Sequence, residues 1–312
     1  MNRYLKRHEA ILAAILVVSL IGLGYLNARF LTLDNLLNQG RLMTEIGLIA
    51  LPMTFVIVTG GIDLSVGAIV GLCAIVLGVA WKNIGLPLPL AVVVALAVGA
   101  LAGFCNGLVI TRLKAPPLIV TIATLALYRG LAEGISKARS VRGYPDWFYV
   151  LGQGEAFGVP TQLWILGACI VIAGVALDRT SFGRTLYAIG ANETAARFSA
   201  LAVDRAKLIV YTLSGLMSGL SAFVLVSRVT TTRSDMGLGY ELDVIAAVVL
   251  GGASIFGGSG TIWGTVIGLA MIQLLKNGLA LTGVKGDATI MVIGVVLIAS
   301  VLIASSLERR RE

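Results

Sequence analysis

Two long segments of this 312-residue chain are almost free of charge. Residues 46 to 81 contain one charged side chain, Asp63, and residues 244 to 275 contain none. A helix rises about 1.5 Å per residue and the hydrocarbon core of a bilayer is about 30 Å thick, so either segment is too long for one straight spanning helix. Each segment must therefore bend or turn back within an apolar environment.

Glycines mark the points where each segment can turn. Gly60 and Gly61 interrupt the first segment, and the second contains Gly257, Gly258 and Gly260. A shift of 197 positions aligns Gly60, Gly61, Gly67, Gly71 and Leu72 with Gly257, Gly258, Gly264, Gly268 and Leu269. This alignment predicts an internal repeat of the kind common in transporters. Coincidence among the 38 glycines of the chain is the alternative.

The rest of the chain continues the apolar pattern. Hydrophobic residues make up 57% of the sequence and charged residues 13%, which is more apolar surface than one water-soluble core can bury. The apolar runs are continuous rather than alternating, and this favours helices over barrel strands. We therefore predict an all-α, polytopic membrane helix bundle forming a single domain over residues 1–312. About ten transmembrane helices, some broken or re-entrant, are expected at 10–28, 45–60, 64–80, 87–111, 117–134, 161–177, 207–227, 243–256, 261–280 and 288–306.

Basic residues predict the topology of these helices. The bias is weak, with 13 of the 24 basic residues inside, but these crowd into the chain ends and the short loops near Arg112 and Lys114 and at 178–206. The positive-inside rule operates there, so both termini and these loops are expected in the cytoplasm. The aromatic, turn-rich loop at 135–160 then lies outside. The net charge of +8 reflects this topology, and we expect contact with membrane lipid and none with nucleic acid.

Signatures of catalysis, metal binding and nucleotide binding are missing from the sequence. It contains no HExxH or GxSxG motif, and Cys73, Cys105 and Cys169 lie far apart within apolar runs, as small packing residues do. GGASIFGGSGT at 251–261 has the glycine spacing of a phosphate-binding loop, but Gly258 stands where that motif needs lysine. We predict no catalytic residue, no metal site and no cofactor in this chain.

Glycines four residues apart predict close packing between helices, because they give one helix face a smooth strip that another backbone can approach. A role in ligand binding is the less favoured alternative. Such sets occur at Gly67 and Gly71, at Gly99, Gly103 and Gly107, at Gly215 and Gly219, and at Gly264 and Gly268.

Asp63 admits two interpretations. A carboxylate at bilayer depth usually faces protein or a water-filled cavity and often marks a transport pathway. Asp63 also precedes an apolar run, so it is placed to N-cap the next helix by accepting from the amide of Ser65 or Val66. The two roles can coexist.

The loop at 178–206 carries the most informative polar segment. Asn192 is placed to cap a short helix over residues 193–200, whose small and mixed side chains suit docking against another protein. The alternative is an amphipathic helix lying on the membrane, but its apolar face of Ala195, Phe198 and Leu201 is narrow.

The chain resembles the inner-membrane permease subunits of bacterial ABC sugar importers, the group that includes the ribose, xylose, galactose, rhamnose and autoinducer-2 permeases. Three stretches carry the resemblance, in the order and separation of the family: GGIDLSVGAIVGL at 60–72, GRTLYAIGANETAARFSAL at 183–201 and ELDVIAAVVLGGASIFGGSGTIWGTVIGL at 241–269. IALPMTFVIVTGGID and RSDMG look closer to the autoinducer-2 and rhamnose branch than to ribose. One departure is Ala200, where relatives commonly read Ser-Gly.

The resemblance implies a division of labour. Two permease subunits, identical or different, form the pore; two cytosolic ATP-binding subunits bind ATP and Mg and supply the energy; and a periplasmic binding protein delivers the sugar. Residues 183–201 would be the segment gripped by an ATPase subunit and would drive alternating access. The coupling residues expected from the family motif are Gly183, Arg184, Asn192, Glu193, Ala195, Ala196 and Arg197.

The resemblance also gives roles to the helix-breaking residues and suggests surfaces. Helix-break or gate residues are expected at Gly60, Gly61, Asp63, Ser65, Gly257, Gly258 and Gly260. Substrate-pathway candidates are the polar residues Thr54, Thr59, Asn106, Thr121 and Thr124, for which helix-to-helix hydrogen bonding is the commoner role. Candidates for docking the binding protein are Arg228, Arg233 and Asp235.

Other functions remain alternatives at this stage. A permease for branched-chain amino acids or nucleosides would share the broken-helix pattern, and an ion-coupled carrier would work without any ATPase. A membrane enzyme is disfavoured because the catalytic residues are missing. The expected location is the bacterial inner membrane.

Overall fold

The computed structural model describes residues 3–27, 30–281, 283, 288, 291, 294 and 295. Twelve helices and four short strands follow one another within these residues. In chain order they are α1 (Arg3–Leu26), α2 (Leu33–Val58), α3 (Val66–Lys82), α4 (Leu88–Arg112), α5 (Pro117–Ser136), β1 (Val141–Arg142), α6 (Asp146–Gln153), β2 (Glu155–Ala156), β3 (Val159–Pro160), α7 (Thr161–Arg179), α8 (Ser181–Ala191), α9 (Glu193–Phe198), α10 (Val203–Val229), β4 (Thr231–Thr232), α11 (Tyr240–Leu250) and α12 (Ile262–Leu281).

Six of the described helices are long and apolar enough to cross a membrane: α2, α4, α5, α7, α10 and α12. Two shorter apolar stretches, 12–25 and 66–82, lie in α1 and α3. The helical bundle agrees with the predicted class, while the count of about ten spans stays a prediction, as does the repeat. The expected span at 288–306 lies outside the described residues apart from isolated positions.

Two predicted helix boundaries are wrong. The helix expected at 45–60 begins at Leu33, because the polar residues before Glu45 are part of α2 and bond to another helix. The helix expected at 243–256 ends at Leu250, and a glycine-rich turn follows it. With 11 residues at about 1.5 Å each, α11 covers only about half of a bilayer core.

The bundle has a central and a peripheral layer. Every residue of α2 from Thr44 to Val58 is buried, and α3 is buried along most of its length. Peripheral helices such as α5 and α7 turn apolar side chains outward, including Ile119, Ile122 and Ile172. An apolar outer surface around a buried centre is the arrangement expected of a helix bundle surrounded by lipid.

Glycines allow the helices to approach closely, as predicted. A Cβ on Gly103 would overlap Tyr211 O, and one on Gly215 would overlap Gly99 O, so the backbones of α4 and α10 lie in contact. A Cβ on Gly268 would overlap Ala247 O. The packing interpretation of these glycine sets is therefore confirmed for α4 with α10 and for α11 with α12.

The two interrupted segments fold differently. The first break, residues 59–65, separates α2 from α3, and α3 then packs against α4, α5 and α10. The second break, residues 251–261, separates α11 from α12, which pack against each other. The glycine alignment thus identifies two turns in apolar surroundings whose flanking helices have different neighbours.

The loop predicted at 135–160 is ordered around aromatic side chains. Strand β1 pairs antiparallel with β4, with Val141 opposite Thr232. Tyr144 stacks between Trp81 and Phe148, at ring-centroid distances of 4.5 and 4.8 Å. These contacts join the ends of α3 and α10 at the end of the bundle where α5 finishes.

Candidate functional site

The predicted coupling segment consists of α8 and α9, joined by the single residue Asn192. The Asn192 Oδ1 atom accepts a hydrogen bond from the amide of Ala195 at 2.9 Å, which confirms the predicted cap. Gly183 lies in the tight turn from α7 into α8, where a Cβ would overlap Leu177 O. A one-residue connection leaves little freedom between the two helices.

The two helices differ in burial. Helix α8 packs Leu186 and Ile189 into the bundle and sets Phe182 edge-on against Phe55, with ring centroids 6.4 Å apart. In α9 only Ala196 is buried, and the side chain of Phe198 is 89% exposed. The short helix α9 therefore projects from the bundle while α8 anchors it. Arg184, also predicted for coupling, is exposed on α8.

Charged side chains tie α9 to the start of α10. Arg197 donates to Glu193 at 2.9 Å and to Asp204 at 2.5 Å, and Lys207 donates to Glu193 at 2.5 Å. Burial raises the pKa of Glu193, but the hydrogen bonds from Lys207 and Arg197 outweigh it and hold this pKa below its ordinary value. The bonds to Asp204 and Glu193 hold the pKa of Arg197 above its ordinary range. These groups stay ionised at neutral pH, so the network persists there.

A cavity of about 250 Å³ separates this network from the loop between α4 and α5. Lys114 and Pro116 line one side, and Glu193, Arg197 and Lys207 line the other. The surface around α9 thus combines a projecting apolar side chain with several charged groups, as partner-binding surfaces often do.

Ala200 ends the α9 segment in a left-handed conformation, with φ of 58°. Glycine adopts this conformation without the steric cost of a Cβ atom, which explains why relatives commonly have glycine at this position. The chain forms the same turn with alanine, and the helix ends at Phe198 rather than at the predicted residue 200.

The two breaks meet beside α8. The Gly258 amide donates to Val58 O at 2.9 Å, and a Cβ on Gly257 would lie 2.8 Å from the Gly60 amide nitrogen. Gly257 and Gly258 have φ of 92° and 76°, a region that favours glycine, so both the turn and the approach require residues without a side chain. The residues predicted as helix breaks in separate segments are therefore neighbours in space.

Asp63 lies fully buried in the first break. Its Oδ1 atom accepts from the Ser65 amide at 3.0 Å and the Ser65 hydroxyl at 2.6 Å, and its Oδ2 atom accepts from the Ser214 hydroxyl at 2.9 Å. The predicted bond to the Ser65 amide is present, but the N-cap assignment is wrong. Ser65 occupies the N-cap position of α3, so Asp63, two residues earlier, closes the turn that leads into the helix rather than capping it.

The carboxylate continues into a wider hydrogen-bond network. The Asn106 side-chain amide donates to Ser65 Oγ at 2.8 Å, and the Tyr128 hydroxyl lies 3.0 Å from Asn106 Oδ1. Thr121 Oγ1 donates to Ile62 O at 3.1 Å. The first break is thereby bonded to α4, α5 and α10, and this satisfies its buried polar groups.

The remaining substrate-pathway candidates also bond within the protein. The Thr54 and Thr265 hydroxyls are 2.7 Å apart and join α2 to α12. Thr59 and Thr124 donate to carbonyls of their own helices, Val56 O and Thr121 O. The Thr54–Thr265 contact supports the alternative of hydrogen bonding between helices, while the bonds of Thr59 and Thr124 are local, and the substrate pathway stays a prediction.

The docking candidates divide into two kinds. Arg228 donates to the buried carboxylate of Glu45 at 2.6 Å, which removes most of its side chain from the surface. Arg233 and Asp235 form an exposed ion pair with each other. Only the latter pair is available to a partner.

A polar cluster between α2, α11 and α12 escaped the sequence analysis. Asn35 bonds to Asn277 at 2.9 Å, Gln273 to Gln39 at 2.6 Å, and Lys276 to Asp243 at 2.5 Å. The sequence pattern that could have predicted this cluster is the spacing of four residues between Asn35 and Gln39 and between Gln273 and Asn277, because it places each pair on one helix face.

Comparison with known proteins identifies the family. The model of the family described as "Branched-chain amino acid transport system / permease component" matches residues 34–301. The chain belongs to this family. With its apolar helices, membership makes the chain a multi-pass integral membrane protein and a transport component.

Three curated relatives carry the printed name "Autoinducer 2 import system permease protein LsrD". They come from Escherichia coli strain K12, Escherichia coli O157:H7 and Shigella flexneri. Each is 38% identical to this chain over 300 residues, which cover 94% of this chain and 91% of the relative. No solved structure gives a significant match.

Proposed function

We propose that this chain is the permease subunit of an ABC importer in the bacterial inner membrane and carries a sugar-like solute of the autoinducer-2 type. The observation that carries the proposal is helix α9, which projects from the bundle and is held by ion pairs among Glu193, Arg197 and Asp204. It occurs in a chain that is 38% identical to autoinducer-2 import permeases. Both termini and α9 lie in the cytoplasm in this proposal.

Partner subunits supply the energy for transport and deliver the solute. Two cytosolic ATP-binding subunits bind ATP and Mg, and one grips α9 through residues around Arg197. A second permease subunit, identical or similar, completes the pore. A periplasmic binding protein supplies the solute and contacts the exposed pair Arg233 and Asp235. The permease carries out no chemistry on the solute and alternates its access between the two sides.

Charge reversal at α9 tests the coupling assignment. Arg197→Glu turns two ion pairs into like-charge contacts, so co-purification of the ATPase subunit and substrate-stimulated hydrolysis should fall at least fivefold. Arg139→Glu is the matched control, because Arg139 is exposed and lies beyond the far end of α5. Equal effects of the two variants, or none from either, would overturn the assignment.

Reconstitution tests the transport class. Vesicles containing this chain, its partner subunits and the binding protein should accumulate autoinducer-2 only when ATP is supplied. Competition by rhamnose, leucine and a nucleoside ranks the solute classes, and leucine as the preferred solute would favour the function printed in the family description. Accumulation by this chain alone, driven by a proton or sodium gradient, would refute the importer.

A further inference from the structure

Gly190, in the last turn of α8, contacts the end of α2 and the second break. A Cβ built on Gly190 would overlap Val58 O and Gly258 N, the two atoms that form the hydrogen bond between α2 and the second break. The Gly190 backbone therefore lies directly against this hydrogen bond. A side chain at this position would have to separate α2 from the second break or lift α8 away from both.

The contact extends to the first break through Gly257. A Cβ on Gly257 would lie 2.8 Å from the Gly60 nitrogen and 3.0 Å from the Gly190 Cα atom. We call the close contact of Gly60, Gly190, Gly257 and Gly258 the glycine junction. It brings three segments that are far apart in sequence into backbone contact.

A side-chain contact one turn earlier connects α8 to the same place independently. The Tyr187 hydroxyl donates to Gly260 O at 2.7 Å, near the end of the second break. Leu186 and Ile189 are buried against the bundle on neighbouring positions of α8. Helix α8 therefore contacts the breaks through packing, through backbone and through one hydrogen bond.

The connection from α9 to the glycine junction is short. Asn192 alone separates α9 from α8, and only Ala191 lies between Gly190 and Asn192. Close-packed backbone contacts transmit displacement because they have no side chain that can change rotamer. A displacement of α9 thus reaches α8 and both breaks without passing through a flexible linker.

We propose that Gly190 and Tyr187 are positioning residues that transmit movement of α9 to both helix breaks at once. This inference rests on the proposed importer function and assigns the route by which an ATPase subunit moves the bundle. Because Gly190 contacts the end of α2 and the second break, and Gly257 of that break lies against Gly60 of the first, movement of α8 reaches both breaks together.

Gly190→Ala tests the route in the complete importer reconstituted with its ATPase subunits and binding protein. The ATPase subunit should still co-purify at the wild-type ratio, because α9 is intact, while the number of solute molecules transported per ATP hydrolysed falls at least fivefold. Gly174→Ala in α7 is the matched control, since nothing lies within 4 Å of the Cβ that it adds. The control should keep the wild-type ratio of transport to hydrolysis.

Tyr187→Phe provides a second test that adds no atom. It removes the hydrogen bond to Gly260 O and should lower the amount of solute transported per ATP about twofold. If Gly190→Ala fails to fold, the result for Tyr187→Phe alone tests the inference. Wild-type ratios in both variants, or in Tyr187→Phe alone when the other cannot be purified, would overturn this inference and leave the importer function standing. A wild-type chain that binds no ATPase subunit would overturn both.

Discussion

The two breaks start from the same kind of sequence, a glycine pair in an apolar run, but they are held in different ways. In the first break, a buried carboxylate accepts three hydrogen bonds and the surrounding polar side chains reach α4, α5 and α10. In the second break, the backbone of Gly257 lies against Gly60 and Gly190, the backbone of Gly258 lies against Ala191, and Phe256 is 76% exposed. A bent segment in a membrane bundle can therefore be specified by side-chain bonding or by the absence of side chains.

Because of this difference, mutations in the two breaks should lower the free energy of unfolding by different amounts. Side-chain deletions should be costly in the first break and mild in the second. Added side chains should be costly in both breaks, because a Cβ on Gly61 would lie 2.5 Å from Tyr211 Oη and a Cβ on Gly257 would lie 2.8 Å from the Gly60 nitrogen.

The largest effect is expected from Asp63→Ala. It leaves the Ser65 amide and the Ser65 and Ser214 hydroxyls without their acceptor in a buried site. At about 1–3 kcal/mol for each of the three buried groups left unpaired, the free energy of unfolding should fall by about 3–9 kcal/mol. Denaturant titration in detergent measures this loss. Asp235→Ala, which breaks an exposed ion pair, is the control and should cost under about 1 kcal/mol. Equal losses would show that the carboxylate does not hold the first break.

A smaller loss is expected from Ser214→Ala. The substitution removes one hydrogen bond to a carboxylate, worth about 1.5–3 kcal/mol. Ser218→Ala is matched to it, because Ser218 is buried on the same helix but donates to a carbonyl of that helix, Ser214 O. The same titration should rank Ser218→Ala clearly below Ser214→Ala, and the opposite order would contradict the network.

Thr261→Ala probes the side-chain contribution at the second break. Thr261 Oγ1 accepts from the Gly264 amide at 2.9 Å, as an N-cap residue of α12 would. Loss of such a cap should lower the free energy of unfolding by about 1 kcal/mol. A loss as large as that of Asp63→Ala would remove the distinction between the two breaks.

The smallest effect is expected from Phe256→Ser. Because this side chain is largely exposed, the free energy of unfolding should change by no more than about 0.5 kcal/mol. Thermal unfolding of the purified chain checks this, and a marked drop in the midpoint temperature would show that Phe256 packs against the protein.

The sequence predicted the apolar framework well because hydropathy depends on single residues. The helices expected at 87–111 and 117–134 are observed at Leu88–Arg112 and Pro117–Ser136. The start of α2 was missed since Asn35 and Gln39 look like loop residues until their partners on α12 are known. Pairing between distant helices is a property of the fold, and single-sequence patterns do not contain it.

The candidate site was predicted in part for the same reason. The cap at Asn192 depends on neighbours in the chain and was predicted correctly. The Glu45–Arg228 pair joins residues 183 positions apart, and Glu45 stood unnoticed at the first position of an expected span. The meeting of Gly60 with Gly257 could not be inferred either, because the glycine alignment relates the two breaks by similarity and says nothing about contact.

The hydrogen bonds that the Asp63 carboxylate accepts come from two parts of the chain that are far apart in sequence. Ser65 lies two residues after Asp63, and Ser214 lies on α10, so the set of donors is complete only after most of the chain has been synthesised. During biogenesis, Asp63 enters the membrane about 150 residues ahead of its last donor. A newly inserted chain must therefore keep the Asp63 carboxyl group away from lipid until α10 arrives.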